Sequence, residues 1–125
     1  MPGMSDYQPA SPPAAPPRCR RFGQVLRLRR EQIEEYVRQH AKVWPEVLAA
    51  LRRVHVRNYS IFLLDDLLFG YFEYTGEDFA ADMARLAADA KTREWWAVME
   101  PMQIALPERA PGEWWATMRE VFHMD

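Results

Sequence analysis

Two β-rich segments that follow each other almost without a break constrain the fold more than any other feature of this sequence. Residues 58–64 and 67–74 are mostly apolar or aromatic, and only Asp65 and Asp66 separate them. Because two aspartates suit a tight turn, the pattern predicts a β-hairpin. Alternate side chains of a strand point to opposite faces, and the second segment is largely apolar on both. One face carries Leu67, Phe69 and Tyr71, and the other carries Leu68, Phe72 and Tyr74.

The remaining periodicities predict the elements around this hairpin. Pro45 interrupts the first helix, so we expect a kink or a restart near Trp44. Thr75 and Asp78 resemble a capping box in front of the second helix. The predicted elements are a strand at 22–28, a long helix at 30–54, the hairpin, helices at 79–90 and 92–99, a proline-rich loop at 101–112 and a strand at 119–124.

This order predicts an α+β fold, a ferredoxin-like βαββαβ sandwich whose helices lie on one face of an antiparallel sheet. The opposite face of the sheet is also apolar and therefore needs a partner surface. A second copy of the chain would supply that surface, because small domains with exposed apolar area tend to associate symmetrically. We therefore predict a homodimer.

Length and composition exclude several classes of protein. A chain of 125 residues corresponds to about one domain. Sixteen basic residues nearly balance 18 acidic ones, which argues against nucleic-acid or membrane-surface partners. Cys19 is the only cysteine, so an internal disulfide and a cysteine-rich zinc site are excluded. With neither a membrane span nor a signal segment apparent, the sequence predicts a cytoplasmic protein.

The N-terminal segment differs from the rest of the chain. Residues 1–20 hold six of the ten prolines, alternating with alanine and serine. Such a segment can neither pair in a sheet nor bury much surface, so we predict a disordered tail at 1–20 and one domain at 21–125. A proline-rich ligand for another protein is the alternative interpretation of the tail.

Several aromatic residues are candidates for a binding or catalytic site. Tyr36 and His40 are four residues apart and therefore share a helix face. Imidazole is the side chain best suited to proton transfer near neutral pH, although a structural histidine has the same spacing. Trp95 and Trp96 are adjacent and must diverge on a helix, so one of them is free to face a ligand such as a sugar. Packing in a core or an interface is the alternative, and the role of the second pair, Trp114 and Trp115, stays open.

Other chemistries have little support. The sequence contains no glycine-rich phosphate loop, no HExxH pair and no GxSxG elbow. His55 and His123 lie apart from His40 and from any acidic residue at ligand spacing, so we interpret both as structural and expect no metal site.

Six segments in order along the chain resemble the L-rhamnose mutarotase family, and the ordered combination is far more specific than any one of them. They span nearly everything after the proline-rich tail. The segments are EYVRQH at 35–40, VWPE at 43–46, NYSIFL at 58–63, LFGYFE at 68–73, WW at 95–96 with Met99, and EVFHM at 120–124.

The resemblance implies a dimeric α/β-barrel of ferredoxin-like protomers that interconverts α- and β-L-rhamnopyranose without a metal or cofactor. It implies an isomerase of rhamnose metabolism. His40 matches the proton donor of the family, and the sugar-binding positions correspond to Tyr36, Tyr59, Trp95 and Trp96. We expect His40 to protonate the ring oxygen and to act as a base on ring closure, while Tyr36, Tyr59 or a bound water relays the other proton.

Two other classes of function remain open at this point. A cofactor-independent monooxygenase can use a similar dimeric fold, and fold alone does not separate the two activities. A non-enzymatic dimer could bind a small ligand through the same aromatic residues. Within the mutarotase interpretation, the residues do not distinguish L-rhamnose from L-fucose, L-lyxose or a related sugar.

Overall fold

The computed structural model describes residues 19–125, which form one antiparallel sheet with helices packed on one of its faces. The N-terminal tail predicted at 1–20 lies outside the described residues except for its last two, and Arg20 is the first residue of β1. The strands are β1 (Arg20–Leu28), β2 (Val56–Leu64), β3 (Leu67–Tyr74), β4 (Gln103–Ile104) and β5 (Ala116–Met118). The helices are α1 (Ile33–His40), α2 (Pro45–Arg53), α3 (Phe79–Ala88) and α4 (Ala90–Met99), with short 3-10 turns at Arg30–Gln32 and Glu100–Met102.

The strand order is β2-β3-β1-β4, and β5 pairs with β1 beside β4. Every pairing is antiparallel. The predicted hairpin is present as β2 and β3, whose turn places Asp65 at a φ of 55°. The predicted α+β class and antiparallel sheet are therefore confirmed.

The first helical region is two helices rather than one long helix. Trp44 has an extended backbone with ψ of 132°, and Pro45 is the first residue of α2. The residue before a proline avoids the helical region, whereas proline itself suits the first helical position. Pro45 therefore begins a helix instead of bending one, and the predicted restart near Trp44 is the form observed.

The structure corrects the predicted cap of α3, the predicted last strand and the predicted loop at 101–112. The N-cap of α3 is Asp78, whose carboxylate accepts a hydrogen bond from the Ala81 amide, so Thr75 is not the cap. The last strand covers Ala116–Met118 rather than 119–124, and the short β4 lies within the segment predicted as a loop. A strand requires a neighbouring edge as well as alternating side chains, and only 116–118 find that edge on β1.

The core lies between the sheet and the helices and has two connected parts. In β3, residues 68, 70, 72 and 74 are buried and face the helices, whereas 67, 69, 71 and 73 are only partly buried. The opposite face of the sheet carries two exposed apolar side chains, Phe62 and Leu64, which pair with Phe69 and Leu67. None of the helices among residues 19–125 has the length and apolarity that crossing a bilayer requires. The first part of the core contains Leu26, Leu28, Tyr36, Val47, Leu68, Trp95, Met99 and Met102, and the second contains Ala50, Val54, Val56, Phe72 and Leu86.

Candidate active site

A cavity of about 600 Å³ lies between the helix-facing side of the sheet and the helices. This volume lies within the range of small-molecule sites. Its lining is mainly apolar, with a few polar side chains among the aromatic rings. All five predicted site residues line this one cavity: Tyr36, His40, Tyr59, Trp95 and Trp96.

His40 is the last residue of α1 and is half-buried at the cavity wall. Its Nδ1 lies 2.8 Å from the backbone oxygen of Tyr36. Because a carbonyl oxygen only accepts, Nδ1 carries the hydrogen, and Nε2 is the nitrogen left for proton exchange. Burial lowers the pKa of His40 below the ordinary imidazole value, and the bond to Tyr36 partly opposes this shift. The ring stacks on that of Tyr36 at 4.2 Å and meets Trp95 edge-on at 5.3 Å.

Tyr36 is buried one helical turn before His40, and its hydroxyl is hydrogen-bonded to Gln103. Gln103 Nε2 donates to this hydroxyl oxygen at 3.1 Å. Burial raises the pKa of Tyr36 to about 12, although the bond from Gln103 works in the opposite direction. The phenol therefore stays protonated at neutral pH and can donate its own hydrogen to a ligand.

Tyr59 enters the cavity because of an irregularity in β2. Arg57 pairs with Glu73 and Ser60 with Tyr71, so β2 has one residue more than β3 across this interval. The extra residue of such a bulge shifts the alternation of side chains by one position, so residues beyond it change faces of the sheet. As a result Tyr59 lies on the helix side, where its hydroxyl is 3.5 Å from Gln24 Nε2. Burial of the hydroxyl and the nearby Tyr36 both raise the pKa of Tyr59, so it too is a donor at neutral pH.

The two adjacent tryptophans of α4 separate as predicted. Trp95 is 6% exposed and packs edge-on against both His40 and Trp44. Trp96 is 37% exposed and presents its indole to the cavity and to solvent. Trp95 is therefore a core residue that also borders the cavity, and Trp96 is the one more available to a ligand.

Two glutamines of the cavity were not predicted from the sequence. Gln24 lies in β1 between Phe22 and Leu26, on the face that packs against the helices, and a polar residue on an apolar face was the signal available. Gly70 pairs with Gln24, and a Cβ there would lie 3.1 Å from Gln24 Cγ, so the glycine leaves room for this side chain. Gln103 lies in a segment predicted as a loop, where no sequence pattern indicates that it is buried.

Of the remaining residues considered from the sequence, Trp114 reaches the cavity, whereas His55 and His123 do not. Trp114 lines the cavity, and its indole Nε1 donates to Gln103 Oε1 at 2.7 Å. Glu100 adds a carboxylate to the lining. His55 and His123 are exposed and do not line the cavity. Within residues 19–125, no three histidine, cysteine or acidic side chains gather as a metal site would need.

The chemistry of this cavity is that of a site for a small neutral polyol. Two phenols can donate hydrogen bonds, one imidazole nitrogen can exchange a proton, and indole rings can pack against C–H faces. Neither lysine nor arginine is among the described residues that line the cavity, so the lining offers no permanent positive charge for a phosphate or carboxylate.

Comparison with known proteins gives one consistent family. The sequence model of the family described as L-rhamnose mutarotase matches residues 21–124. The L-rhamnose mutarotase of Lactiplantibacillus plantarum is 36% identical over 107 residues, which cover 84% of this chain and 98% of that protein. The L-fucose mutarotase of Xanthomonas campestris is 39% identical over 94 residues, covering 72% of this chain and 74% of that protein. A crystal structure of L-rhamnose mutarotase from Formosa agariphila is 26% identical with a TM-score of 0.66, covering 85% of this chain and 99% of that chain.

Proposed function

The chain belongs to the L-rhamnose mutarotase family, and we propose that the protein is an isomerase that interconverts the α and β anomers of L-rhamnopyranose. The observation that carries this proposal is the half-buried His40, with Nδ1 bonded to the backbone and Nε2 left for proton exchange in a cavity of hydroxyl and indole groups. A sugar without charge fits this lining, and a deoxy sugar fits its apolar character.

Anomer exchange needs one proton removed and one proton supplied. The C1 hydroxyl loses its proton, the bond from C1 to the ring oxygen breaks, and the ring oxygen gains a proton to give the open-chain aldehyde. We propose that His40 Nε2 supplies the proton to the ring oxygen and takes it back when the ring closes on the other face. The lowered pKa of His40 makes its protonated form a stronger acid, although fewer molecules carry that proton at neutral pH.

The two tyrosines are better suited to hold the sugar than to remove its proton. Both have raised pKa values, so neither forms a phenolate at neutral pH. Each hydroxyl oxygen already faces an amide donor, Gln103 for Tyr36 and Gln24 for Tyr59, so each hydroxyl hydrogen is directed elsewhere. We propose that these hydrogens bind sugar oxygens, and that a bound water accepts the proton of the C1 hydroxyl.

L-Fucose is the second candidate substrate, because the Xanthomonas relative named for it is 39% identical over 72% of this chain, against 36% over 84% for the Lactiplantibacillus relative named for L-rhamnose. The two sugars differ in the orientation of hydroxyl groups, and a buried polar group that loses its partner reduces binding strongly. We propose that Gln24, Tyr59 and Trp96, which all line the cavity, make this distinction.

Saturation-transfer NMR on a panel of L-rhamnose, L-fucose and L-lyxose tests the proposal. The expected result is a protein-dependent exchange between the two anomeric proton signals, fastest for L-rhamnose. Heat-inactivated protein at the same concentration is the control for uncatalysed exchange. Exchange at the uncatalysed rate for every sugar in the panel would contradict an anomer-exchanging enzyme, and fastest exchange for L-fucose would reassign the substrate.

We also propose that the protein is a homodimer in which two copies meet through the outer sheet face, giving a dimeric α/β-barrel. Phe62 and Leu64 on that face are 64% and 68% exposed, and neighbouring Phe69 and Leu67 extend the apolar surface. Exposed apolar area of this kind marks an interaction surface. The C-terminal residues Val121, Phe122 and Met124 are also largely exposed and add to the apolar area available to a second copy.

Sedimentation at micromolar concentration tests the dimer. The unmodified protein is expected to sediment as a dimer and Phe62→Asp as a folded monomer, because a buried unpaired carboxylate opposes association. Val37→Asp is the matched control: Val37 is also half exposed but lies on α1, away from the outer sheet face, so this variant should remain dimeric. A stable, active monomer of the unmodified protein would contradict the interface.

A further inference from the structure

Trp114 is partly exposed and at the same time makes a directed hydrogen bond into the cavity wall. Its side chain is 41% exposed, yet its indole N–H makes a short, directed bond of 2.7 Å to Gln103 Oε1. Gln103 itself is 6% exposed, and its Nε2 donates to the Tyr36 hydroxyl at 3.1 Å. A chain of hydrogen bonds therefore joins the surface segment before β5 to the centre of the cavity.

The hydrogen bond from Trp114 to Gln103 fixes the direction of the next hydrogen bond, from Gln103 to Tyr36. An indole N–H can only donate, so the atom of Gln103 that faces Trp114 must be the amide oxygen. The amide nitrogen must then face Tyr36, whose hydroxyl oxygen accepts. The hydroxyl hydrogen of Tyr36 is consequently free of Gln103 and available to the cavity.

Without the indole of Trp114, no hydrogen bond to Gln103 fixes which end of its side-chain amide faces Tyr36. A rotation of 180° about the last bond of the Gln103 side chain would exchange nitrogen and oxygen at almost no change in shape. Tyr36 would then donate to the amide oxygen and would have no hydrogen for a ligand. Its backbone oxygen also holds His40 Nδ1, so a shift of Tyr36 affects the imidazole as well.

We propose that Trp114 and Gln103 are positioning residues that direct the Tyr36 hydroxyl hydrogen toward the sugar. The inference rests on the proposed anomer exchange and assigns a role to a tryptophan outside the predicted site residues. Neither residue touches the reacting atoms: Gln103 acts through Tyr36, and Trp114 acts through Gln103.

The first test is Trp114→Phe, which keeps an aromatic ring and removes the N–H. Anomer exchange should slow about tenfold at saturating sugar, the size expected when one hydrogen bond that orients a group in the transition state is lost. Trp44→Phe is the matched control, because Trp44 does not line the cavity and its N–H bonds no group among residues 19–125. It should change the rate less than twofold. Equal rates for folded Trp114→Phe and the unmodified protein would overturn the proposal.

The second test, Gln103→Glu, reverses the direction of the hydrogen bond between residue 103 and Tyr36. In Gln103→Glu the ionised carboxylate accepts from both Trp114 and Tyr36, which withdraws the Tyr36 hydrogen from the sugar. Protonation of the new carboxyl restores a donor toward Tyr36, so the ratio of variant rate to unmodified rate should rise as the pH falls from 8 to 5. A merely structural role predicts a ratio that is flat or falls on acidification, and either result would overturn the proposal.

A measurement that needs no activity separates this inference from the proposed function. In protein labelled with nitrogen-15, the Trp114 indole signal is identified by its absence in Trp114→Phe. It should move by several tenths of a ppm in the proton dimension and exchange faster with solvent in Gln103→Leu, which removes its acceptor. An unchanged signal would show that the bond is not made in solution. If the signal responds but no sugar is exchanged by the unmodified protein, the proposed function fails and the hydrogen-bond chain stands.

Discussion

Replacement of His40 by alanine is expected to slow anomer exchange by about 100-fold or more, the range typical for loss of a general acid or base. The fold should survive, because His40 is half-buried and its only polar contact within the described residues is the oxygen of Tyr36. Rates are measured by saturation-transfer NMR, with circular dichroism and sedimentation of every variant. Folded, dimeric His40→Ala that exchanged the anomers at the unmodified rate would disprove the catalytic role.

His55→Asn is the matched control for this substitution. His55 is exposed, does not line the cavity and has a φ of 67°, a conformation that asparagine tolerates better than alanine. Its replacement should leave the exchange rate within about twofold of the unmodified protein, since surface changes away from a site have small effects.

The pH dependence distinguishes the two directions in which His40 could move a proton. Burial lowers its pKa, so the protonated imidazole is a minor species at neutral pH and becomes abundant only below the ordinary histidine value. If protonated His40 is the donor to the ring oxygen, the rate above the uncatalysed exchange should rise as the pH falls from 8 to 6. A rate that rose with pH over this interval would make neutral His40 the base for the C1 hydroxyl.

The largest contrast in stability is expected between Trp95→Ala and Trp96→Ala. Trp95 is 6% exposed and packs against Trp44 and His40, so its truncation should cost about 3–5 kcal/mol of unfolding free energy. Trp96 is 37% exposed, and its truncation should leave unfolding nearly unchanged while raising the sugar concentration needed for half-maximal exchange. Denaturant titration and sugar titration of both variants give the two quantities.

This contrast separates a ligand-binding indole from a structural one. If Trp96→Ala bound the sugar as well as the unmodified protein did, the exposed indole would have no part in recognition. If Trp95→Ala were as stable as the unmodified protein, the packing of α4 against α1 and α2 would contribute less than its burial indicates. Trp95→Phe is the milder control, because it keeps an aromatic ring against His40.

Much of the architecture was predictable because it depends on local patterns. The hairpin follows from two apolar runs around Asp65 and Asp66, and the restart of the helix follows from the backbone restriction that Pro45 imposes. The grouping of Tyr36 with His40 follows from their spacing of one helical turn, and the divergence of Trp95 from Trp96 follows from the helix period. Each feature lies within one element, so the sequence around it contains the necessary information.

The errors and omissions concern contacts between distant parts of the chain. The last strand was predicted at 119–124 because its side chains alternate, but only 116–118 reach the edge of β1. Similarly, Gln103 was unremarkable in a proline-rich segment until the fold brought it 3.1 Å from the hydroxyl of Tyr36, 67 positions away.

The sequence by itself determined which residues can exchange a proton, donate a hydrogen bond or cover a sugar face, because those capacities are properties of single side chains and short spacings. The tertiary structure decided how these groups are aimed. The bulge in β2 turns Tyr59 into the cavity, packing buries Trp95 and leaves Trp96 free, and Trp114 orients Gln103. The physical reason is that hydrogen-bond direction and burial depend on partners far away along the chain, and only the folded chain brings those partners together.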